Sequence, residues 1–209
     1  MTLQIIDCEQ GTEEWRNARC GIPTASRFSE VLAKGEGKTR AKYLRELAAE
    51  TLRGYPEPDS YSNAHIERGH EQEGEARALY AMTYAKGPIA SVGFMRNGRA
   101  GCSPDALVGD DGGLEIKSAL GHIQVERLSR RAVPPEYVAQ VQGNLWVSGR
   151  LWWDFMSYSP DMEPLVVRVE RDEAYIAKLA AAVDAFNEEL DVLVNSIRGV
   201  DQFRKAVAA

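Results

Sequence analysis

The stretch Cys102–Ser118, CSPDALVGDDGGLEIKS, decides the fold of this chain. After a short apolar turn that carries Asp105, a hairpin loop rich in Gly and Asp leads into an extended segment. This segment, Leu-Glu-Ile-Lys at 114–117, alternates apolar and charged residues, which is the period of a β-strand. Because side chains alternate across a strand, Glu115 and Lys117 share one face while the two apolar residues of the segment point toward a core. Two carboxylates and an amine are therefore gathered on one surface.

This trio is suited to a hard cation that acts on a phosphate. Asp105 and Glu115 supply anionic oxygens of the kind that Mg2+ and Mn2+ accept, and they leave positions for water and substrate. Lys117 would orient or deprotonate the attacking water, or stabilise the charge that develops on the phosphoryl group. The same spacing also occurs in surface hairpins that carry an ordinary Glu–Lys ion pair, so by itself the pattern leaves both interpretations open.

The rest of the chain adds a resemblance to a known family. Pro104-Asp105 followed by Glu115-Ile116-Lys117 resembles the motif of the PD-(D/E)xK nucleases. More specifically, the chain resembles the lambda exonuclease or YqaJ-type viral recombinase nucleases, the alkaline exonucleases of phage-type recombination systems. Four blocks in the order of that family carry this resemblance, at residues 10–26, 68–73, 102–117 and 137–142.

The resemblance implies a fold and an activity. The expected fold is a single α/β domain over residues 1–209, a mixed central sheet flanked by helices with a restriction-endonuclease-like core. The implied activity is processive 5′-to-3′ digestion of one strand from a duplex DNA end to 5′ mononucleotides. The remaining 3′ strand would serve a phage-type single-strand annealing protein, and the enzyme would be a ring-shaped homotrimer around the DNA.

The resemblance also assigns site residues. One or two Mg2+ ions, with Mn2+ as a substitute, would be held by Asp105, Glu115, the backbone carbonyl of Ile116 and Glu73. Lys117 and Gln140 would orient the attacking water. From spacing alone, Glu73 belongs to a solvated glutamate-rich helix face and Gln140 to an exposed one.

The same family places the 5′ phosphate of the DNA end against Arg19, Ser26 and Ser103. Without the family, Arg19 is a solvated helix charge and Ser26 a helix cap. Ile66 lies near the position where the family inserts an apolar wedge into the terminal base pair.

Two other functions stay open at this point. An endonuclease would share Asp105, Glu115 and Lys117 but would cut closed circular DNA. A non-catalytic module that binds DNA ends would keep Arg19 and a basic surface but would not depend on a metal.

Composition and charge limit the alternatives further. The chain has 209 residues, 44% hydrophobic and 27% charged, enough for one sizeable core. No apolar run or leader pattern is evident, so a cytoplasmic protein without membrane segments is expected.

Three scattered cysteines cannot form the four-thiolate iron–sulfur cluster of some PD-(D/E)xK relatives. The glycine-rich loop at 34–38 lacks the lysine-serine ending of a Walker motif, which argues against nucleotide binding there.

The net charge of −6 is a poor guide to DNA binding, because a local basic surface is what attracts the phosphates. Between Gly11 and Arg53 nine Lys and Arg face six Asp and Glu. We therefore expect the N-terminal third and the group Arg127, Arg130 and Arg131 to supply the DNA-binding surface.

Periodicity and turn residues predict the elements. The predicted helices are 13–19, a short one through Phe28 and Leu32, 39–53, 63–85, a basic amphipathic segment 123–131, one starting at Pro134-Pro135, and 172–196. The predicted strands are 3–7, 89–96, 99–102, 114–117, 151–158 and 165–169, with a hairpin turn at Asn97-Gly98.

Overall fold

A computed structural model describes the backbone of residues 2–33, 38–56 and 64–207. Side chains are described over the same ranges except at 64–71 and from 200 onward. The side chain of Ile66, on which the wedge prediction rests, and residues 34–37 of the loop at 34–38 therefore lie outside the described residues. No helix in the described part of the chain is long and apolar enough to cross a membrane.

The elements follow the predicted order closely. The helices are α1 Glu13–Arg19, α2 Phe28–Val31, α3 Lys38–Arg53, α4 Ala64–Thr83, α5 Gly121–Arg130, α6 Pro135–Ser148 and α7 Glu173–Val207, with a turn of 3-10 helix at Ala25–Arg27. The strands are β1 Leu3–Ile6, β2 Ile89–Ala90, β3 Phe94–Asn97, β4 Ala100–Cys102, β5 Ala106–Val108, β6 Gly112–Ser118, β7 Trp152–Tyr158 and β8 Leu165–Glu170. The predicted boundaries of α1 are reproduced, and α7 extends beyond its predicted end at residue 196.

The central sheet is mixed, as predicted, and has the order β2-β5-β6-β7-β8. Strands β6 and β7 are parallel, and the other neighbours are antiparallel. The parallel pair is connected through α5 and α6, because parallel strands need a long crossover. This crossover carries Gln140 back across the sheet toward β6.

A second, three-stranded sheet of order β1-β3-β4 was not predicted. The prediction of a single strand over 89–96 is wrong: β2 pairs in the central sheet and β3 in the second sheet. The chain changes sheets at Gly93, where a Cβ would lie 2.2 Å from the Cys8 carbonyl oxygen, so no side chain fits. The predicted hairpin at Asn97-Gly98 is confirmed, with Gly98 at φ 62°.

Both faces of the central sheet are covered. Leu114 and Ile116 pack in a smaller core together with Ala76 and Tyr80 of α4. The opposite face belongs to a larger core that α6 and α7 cover. Glu115 points to this second face and is only 2% exposed, so the expected polar surface of β6 is buried under a helix.

Candidate active site

Asp105 sits in the turn between β4 and β5, and two contacts hold it. Its carboxylate accepts the backbone N–H of Ile116, which joins the turn to β6. The Gln10 side-chain amide donates to the carbonyl of Pro104 at 2.8 Å and to that of Val92 at 2.9 Å. Burial, followed by the neighbouring Glu115 carboxylate, raises the pKa of Asp105 well above its ordinary value, and Lys117 only partly opposes this. The ionised form of Asp105 is therefore disfavoured in the protein alone, and a bound cation would stabilise it.

Three side-chain donors surround the carboxylate of Glu115. The Lys117 amine lies 2.7 Å from Oε1, and the Gln140 amide donates to the same oxygen. The Asn144 amide donates to Oε2 at 2.9 Å. Gln140 and Asn144 lie one turn apart on α6, which is why both reach the same strand residue. Burying a carboxylate without such partners would be costly.

Lys117 joins the two acids. Burial by itself disfavours its charged form, but the carboxylates of Glu115 and Asp105 outweigh burial and raise the pKa of the amine. Its Nζ also lies 5.4 Å from the centroid of the Tyr137 ring. The amine is therefore held as a cation beside both acids.

Glu73 reaches the site from another direction. Together with Asp105 it lines a cleft of about 350 Å3, and it is close enough to contribute to the raised pKa of Asp105. Arg77, one turn further along α4, donates to Glu73 Oε1 at 3.1 Å. Of the expected catalytic residues, the structure thus gathers Asp105, Glu115, Lys117 and Gln140 tightly and places Glu73 at the rim of the cleft.

The residues expected to bind the 5′ phosphate lie near one another. The Trp15 indole N–H donates to Ser103 Oγ at 2.9 Å, and the Arg19 guanidinium carbon lies 3.9 Å from the centroid of the Trp15 ring. Ser26 Oγ lies 3.3 Å from Thr24 Oγ1, and Thr24 forms a β-bridge with Gly101. Since Gly101 leads directly to Ser103, α1, the 3-10 turn and β4 converge here.

The sequence did not indicate that Gln10 and Asn144 belong to this site. It also did not indicate that Tyr137 contacts Lys117. Asn144 follows Gln140 by four residues, so helical spacing already put both on one face, and that face is the usable signal. Gln10 gave no comparable signal, because its partners Val92 and Pro104 are distant in the chain.

The expectation that Arg127 forms part of a DNA-binding surface is wrong. Arg127 is 7% exposed and donates to Ser157 Oγ at 3.0 Å and to the Tyr137 hydroxyl at 3.2 Å. It sits on the buried face of α5, whereas Arg130 and Arg131 are exposed. Part of the N-terminal basic excess is also neutralised by the rest of the chain, because Arg40 pairs with Glu189, which lies outside that segment.

The donor set fits one hard cation. Within the described residues, no three His, Cys, Asp or Glu side chains are close enough together to hold an ion. Two carboxylates and a backbone carbonyl are nevertheless donors of the type that Mg2+ accepts alongside water. In a strand, the N–H and C=O of one residue point to the same side. Because the N–H of Ile116 meets Asp105, its carbonyl faces the Asp105 side as well.

The mixed sheet and the Asp105, Glu115 and Lys117 trio define a PD-(D/E)xK core. Residues 14–151 match the YqaJ-like viral recombinase domain. The chain belongs to this family, which confirms the predicted resemblance.

Comparison with individual proteins gives the same result. The crystal structure of LHK-Exo in complex with dAMP superimposes with a TM-score of 0.83 at 36% identity, over 94% of this chain and 99% of that chain. A second structure of this alkaline exonuclease, from Laribacter hongkongensis, gives a TM-score of 0.82 at the same identity and coverage. The uncharacterized protein ExoD of Escherichia coli (strain K12) is 40% identical over 63 residues, which are 29% of this chain and 72% of that protein.

A more distant structure shares the fold alone. The phage related exonuclease from Haemophilus somnus 129PT has a TM-score of 0.62 at 17% identity, over 84% of this chain and 96% of that one.

Proposed function

We propose that this protein is a Mg2+-dependent, processive 5′-to-3′ exonuclease of double-stranded DNA. It degrades one strand to 5′ mononucleotides and leaves a 3′ single strand for recombination by annealing. The observation that carries the proposal is the convergence of Lys117, Gln140 and Asn144 on the buried carboxylate of Glu115, beside Asp105. Supporting it, the similar LHK-Exo is an alkaline exonuclease and was crystallised with dAMP, a deoxynucleoside monophosphate.

In the proposed mechanism, Asp105, Glu115 and the Ile116 carbonyl would hold the Mg2+ ion. Glu73 would support that ion or a second one from the rim of the cleft, and Mn2+ could substitute. When bound, the ion would supply Lewis-acid activation of water and offset charge on the departing 3′ oxygen.

The chain's own groups do the remaining work. Lys117 and Gln140 orient the water for in-line attack on the scissile phosphorus, and Lys117 also offsets negative charge on the phosphoryl oxygens. Asn144 and Gln140 keep the Glu115 carboxylate in a fixed orientation through their amide donors.

Selection of a DNA end is assigned to the group at α1 and β4. Arg19 offers a guanidinium to the 5′ phosphate, and Ser26 and Ser103 donate hydroxyl hydrogen bonds to it. Trp15 contacts two members of this group: its indole N–H hydrogen-bonds Ser103, and its ring stacks with Arg19.

The quaternary part of the proposal is a homotrimeric ring of this nuclease domain, taken to span residues 1–209, around duplex DNA. It works with a phage-type annealing protein that takes up the 3′ strand. A ring explains how a protein of net charge −6 stays on DNA, because enclosure replaces bulk attraction.

The test uses linear duplex DNA labelled at either end, with and without a 5′ phosphate, beside a closed circle. With Mg2+ we expect release of 5′ mononucleotides from phosphorylated ends, an intact circle, and no reaction in EDTA. Cutting of the circle would replace the proposal with the endonuclease. Binding of ends without cleavage in either Mg2+ or Mn2+ would leave only the end-binding module.

A further inference from the structure

Arg127 is a buried cation that the proposed chemistry does not use. Its two hydrogen-bond acceptors are hydroxyl oxygens, of Ser157 and of Tyr137, and its guanidinium carbon lies 5.3 Å from the centroid of the Tyr137 ring. Burying a charge against neutral partners is costly, so an apolar residue would serve stability better at this place. The position of this cation next to the active site therefore needs another explanation.

Ser157, one of the two hydrogen-bond acceptors of Arg127, is itself held by a buried hydrogen-bond network. Ser157 lies beside Lys117 in the register of the parallel strands β6 and β7. The Ser157 hydroxyl donates to the Gln124 side-chain carbonyl at 2.6 Å. The Gln124 amide in turn donates to the backbone carbonyls of Ser157 at 3.1 Å and Glu163 at 2.8 Å. Gln124 is fully buried, so this network ties α5 to β7 and fixes the guanidinium of Arg127.

Tyr137 connects Arg127 to Lys117. Its hydroxyl accepts from Arg127, its ring packs on Phe155 at 5.4 Å between centroids, and the Lys117 amine lies over the same ring. A lysine has a flexible four-carbon stem, and its ammonium is attracted to an aromatic face. The ring therefore limits the positions of the amine, and the like charge of Arg127 at the same ring disfavours movement of the amine toward it.

We infer that Tyr137 and Arg127 are positioning residues for Lys117: the ring, held by the guanidinium, keeps the amine against the Glu115 carboxylate in the geometry that cleavage requires. The consequence for catalysis rests on the proposed function. The positioning itself is a property of the folded chain and can be measured without any reaction.

The kinetic test compares Tyr137→Leu, Tyr137→Phe and Arg127→Gln with the wild type. Loss of the ring or of the guanidinium should lower kcat about tenfold or more while KM for DNA ends changes less than about twofold, since small misplacements of a reacting group are costly. Tyr137→Phe keeps the ring and loses only the hydroxyl, so its effect should be smaller. In a Lys117→Ala background, Tyr137→Leu should cause no further fall.

Tyr175→Leu is the matched control. Tyr175 is also partly buried and packs on the larger core, so its loss tests general destabilisation. If Tyr175→Leu lowers kcat as much as Tyr137→Leu at equal loss of thermal stability, the inference is overturned.

The direct readout is 15N relaxation of the Lys117 amine in lysine-labelled, metal-free protein, with the signal identified by Lys117→Arg. We expect restricted motion in the wild type and in Tyr175→Leu, and averaged motion in Tyr137→Leu and Arg127→Gln. Unchanged restriction in Tyr137→Leu overturns the inference. If the wild type degrades no DNA, the proposed function fails, and the relaxation comparison alone decides the positioning role.

Discussion

At the scale of one residue, the partners of Glu115 were only partly predictable from the neighbouring sequence. The alternation of β6 placed it on the same face as Lys117, and the two do form an ion pair. Its other donors, Gln140 and Asn144, come from a helix that follows after a long crossover. A buried carboxylate needs several donors, and helical spacing placed Gln140 and Asn144 on one face without showing that this face meets Glu115.

Lys117→Ala should lose cleavage and keep binding of DNA ends. Removing one donor that acts in the transition state costs about 10^2-fold or more in kcat. Single-turnover cleavage and equilibrium binding to a labelled duplex end, measured side by side, check this. Equal loss of both would mean that Lys117 serves binding only. Lys178→Ala, on the surface of α7, is the control.

Asp105→Asn should abolish cleavage and stabilise the metal-free protein. Burial, Glu115 and Glu73 together raise the pKa of Asp105 in the folded state above its unfolded value. The folded protein therefore binds more protons than the unfolded chain, and its stability falls as the pH rises from the ordinary aspartate range through the raised pKa. The variant lacks this loss, so its advantage should be absent in acid and grow toward neutral pH.

Thermal unfolding as a function of pH, in EDTA, measures this advantage. Asp110→Asn, which removes an exposed carboxylate from the neighbouring hairpin loop, is the control. Added Mg2+ or Mn2+ should raise the melting temperature of the wild type and not of Asp105→Asn, because only the wild type binds the ion when folded. A difference in melting temperature that stays constant with pH would contradict the linkage argument.

At the scale of elements, α6 is the part on which the site depends. It begins at Pro135, as the Pro134-Pro135 pair predicted, and ends where Gly149 adopts φ 71°. It can lie close to α2 because Gly143 faces Phe28, where a Cβ would come within 2.4 Å of the ring. This contact helps to fix the position of the helix that carries Gln140 and Asn144.

Gly143→Ala should therefore displace α6 or the Phe28 ring. Overpacking of this kind costs about 1–3 kcal/mol of stability, and the displaced amides should lower kcat as well. Gly199→Ala, in an exposed part of α7 with no atom within 4 Å, is the matched control. It should be neutral or stabilising by about 0.5–1 kcal/mol, because alanine favours the helix. Chemical denaturation and steady-state kinetics on both variants decide; unchanged kcat in Gly143→Ala would show that the helix relaxes without moving the site.

At the scale of the whole molecule, charge pairing within the fold changes how the chain can hold DNA. Arg40 pairs with Glu189 and Arg99 with Asp191, both on α7, so the acidic C-terminal helix takes up cations from the N-terminal half. A local excess counted along the sequence overstates the basic surface, because ion pairs between distant segments remove part of it. The proposed ring therefore has to contribute more to keeping the protein on DNA than the count of basic residues suggests.

We predict that the protein sediments as three chains and digests long duplexes processively. Enclosure makes escape slow even where attraction is weak, so challenge with excess unlabelled DNA after the start should not stop ongoing digestion. Sedimentation velocity and a competitor-trap assay check both statements, with Lys117→Ala as the inactive trimer control. A monomer, or digestion that stops at once on challenge, would contradict the ring.

The sequence by itself determined the elements and the chemistry carried by β6. Alternation, the Pro134-Pro135 start and the Asn97-Gly98 turn are local properties, and they indicated the strands, the helix and the hairpin because neighbouring residues decide them. The motif residues Asp105, Glu115 and Lys117 lie close in the chain, so their convergence also followed from a single hairpin.

Only the tertiary structure decided what surrounds that trio. The division into two sheets, the burial of Arg127 against Ser157, the Tyr137 contact with Lys117 and the amide of Asn144 on Glu115 all join segments that are far apart in sequence. Such contacts arise from the way packed faces meet, and periodicity gives the face of an element but not its neighbour. For that reason Arg127 was expected on a DNA-binding surface, whereas the fold buries it against Tyr137, whose ring also contacts the proposed catalytic lysine.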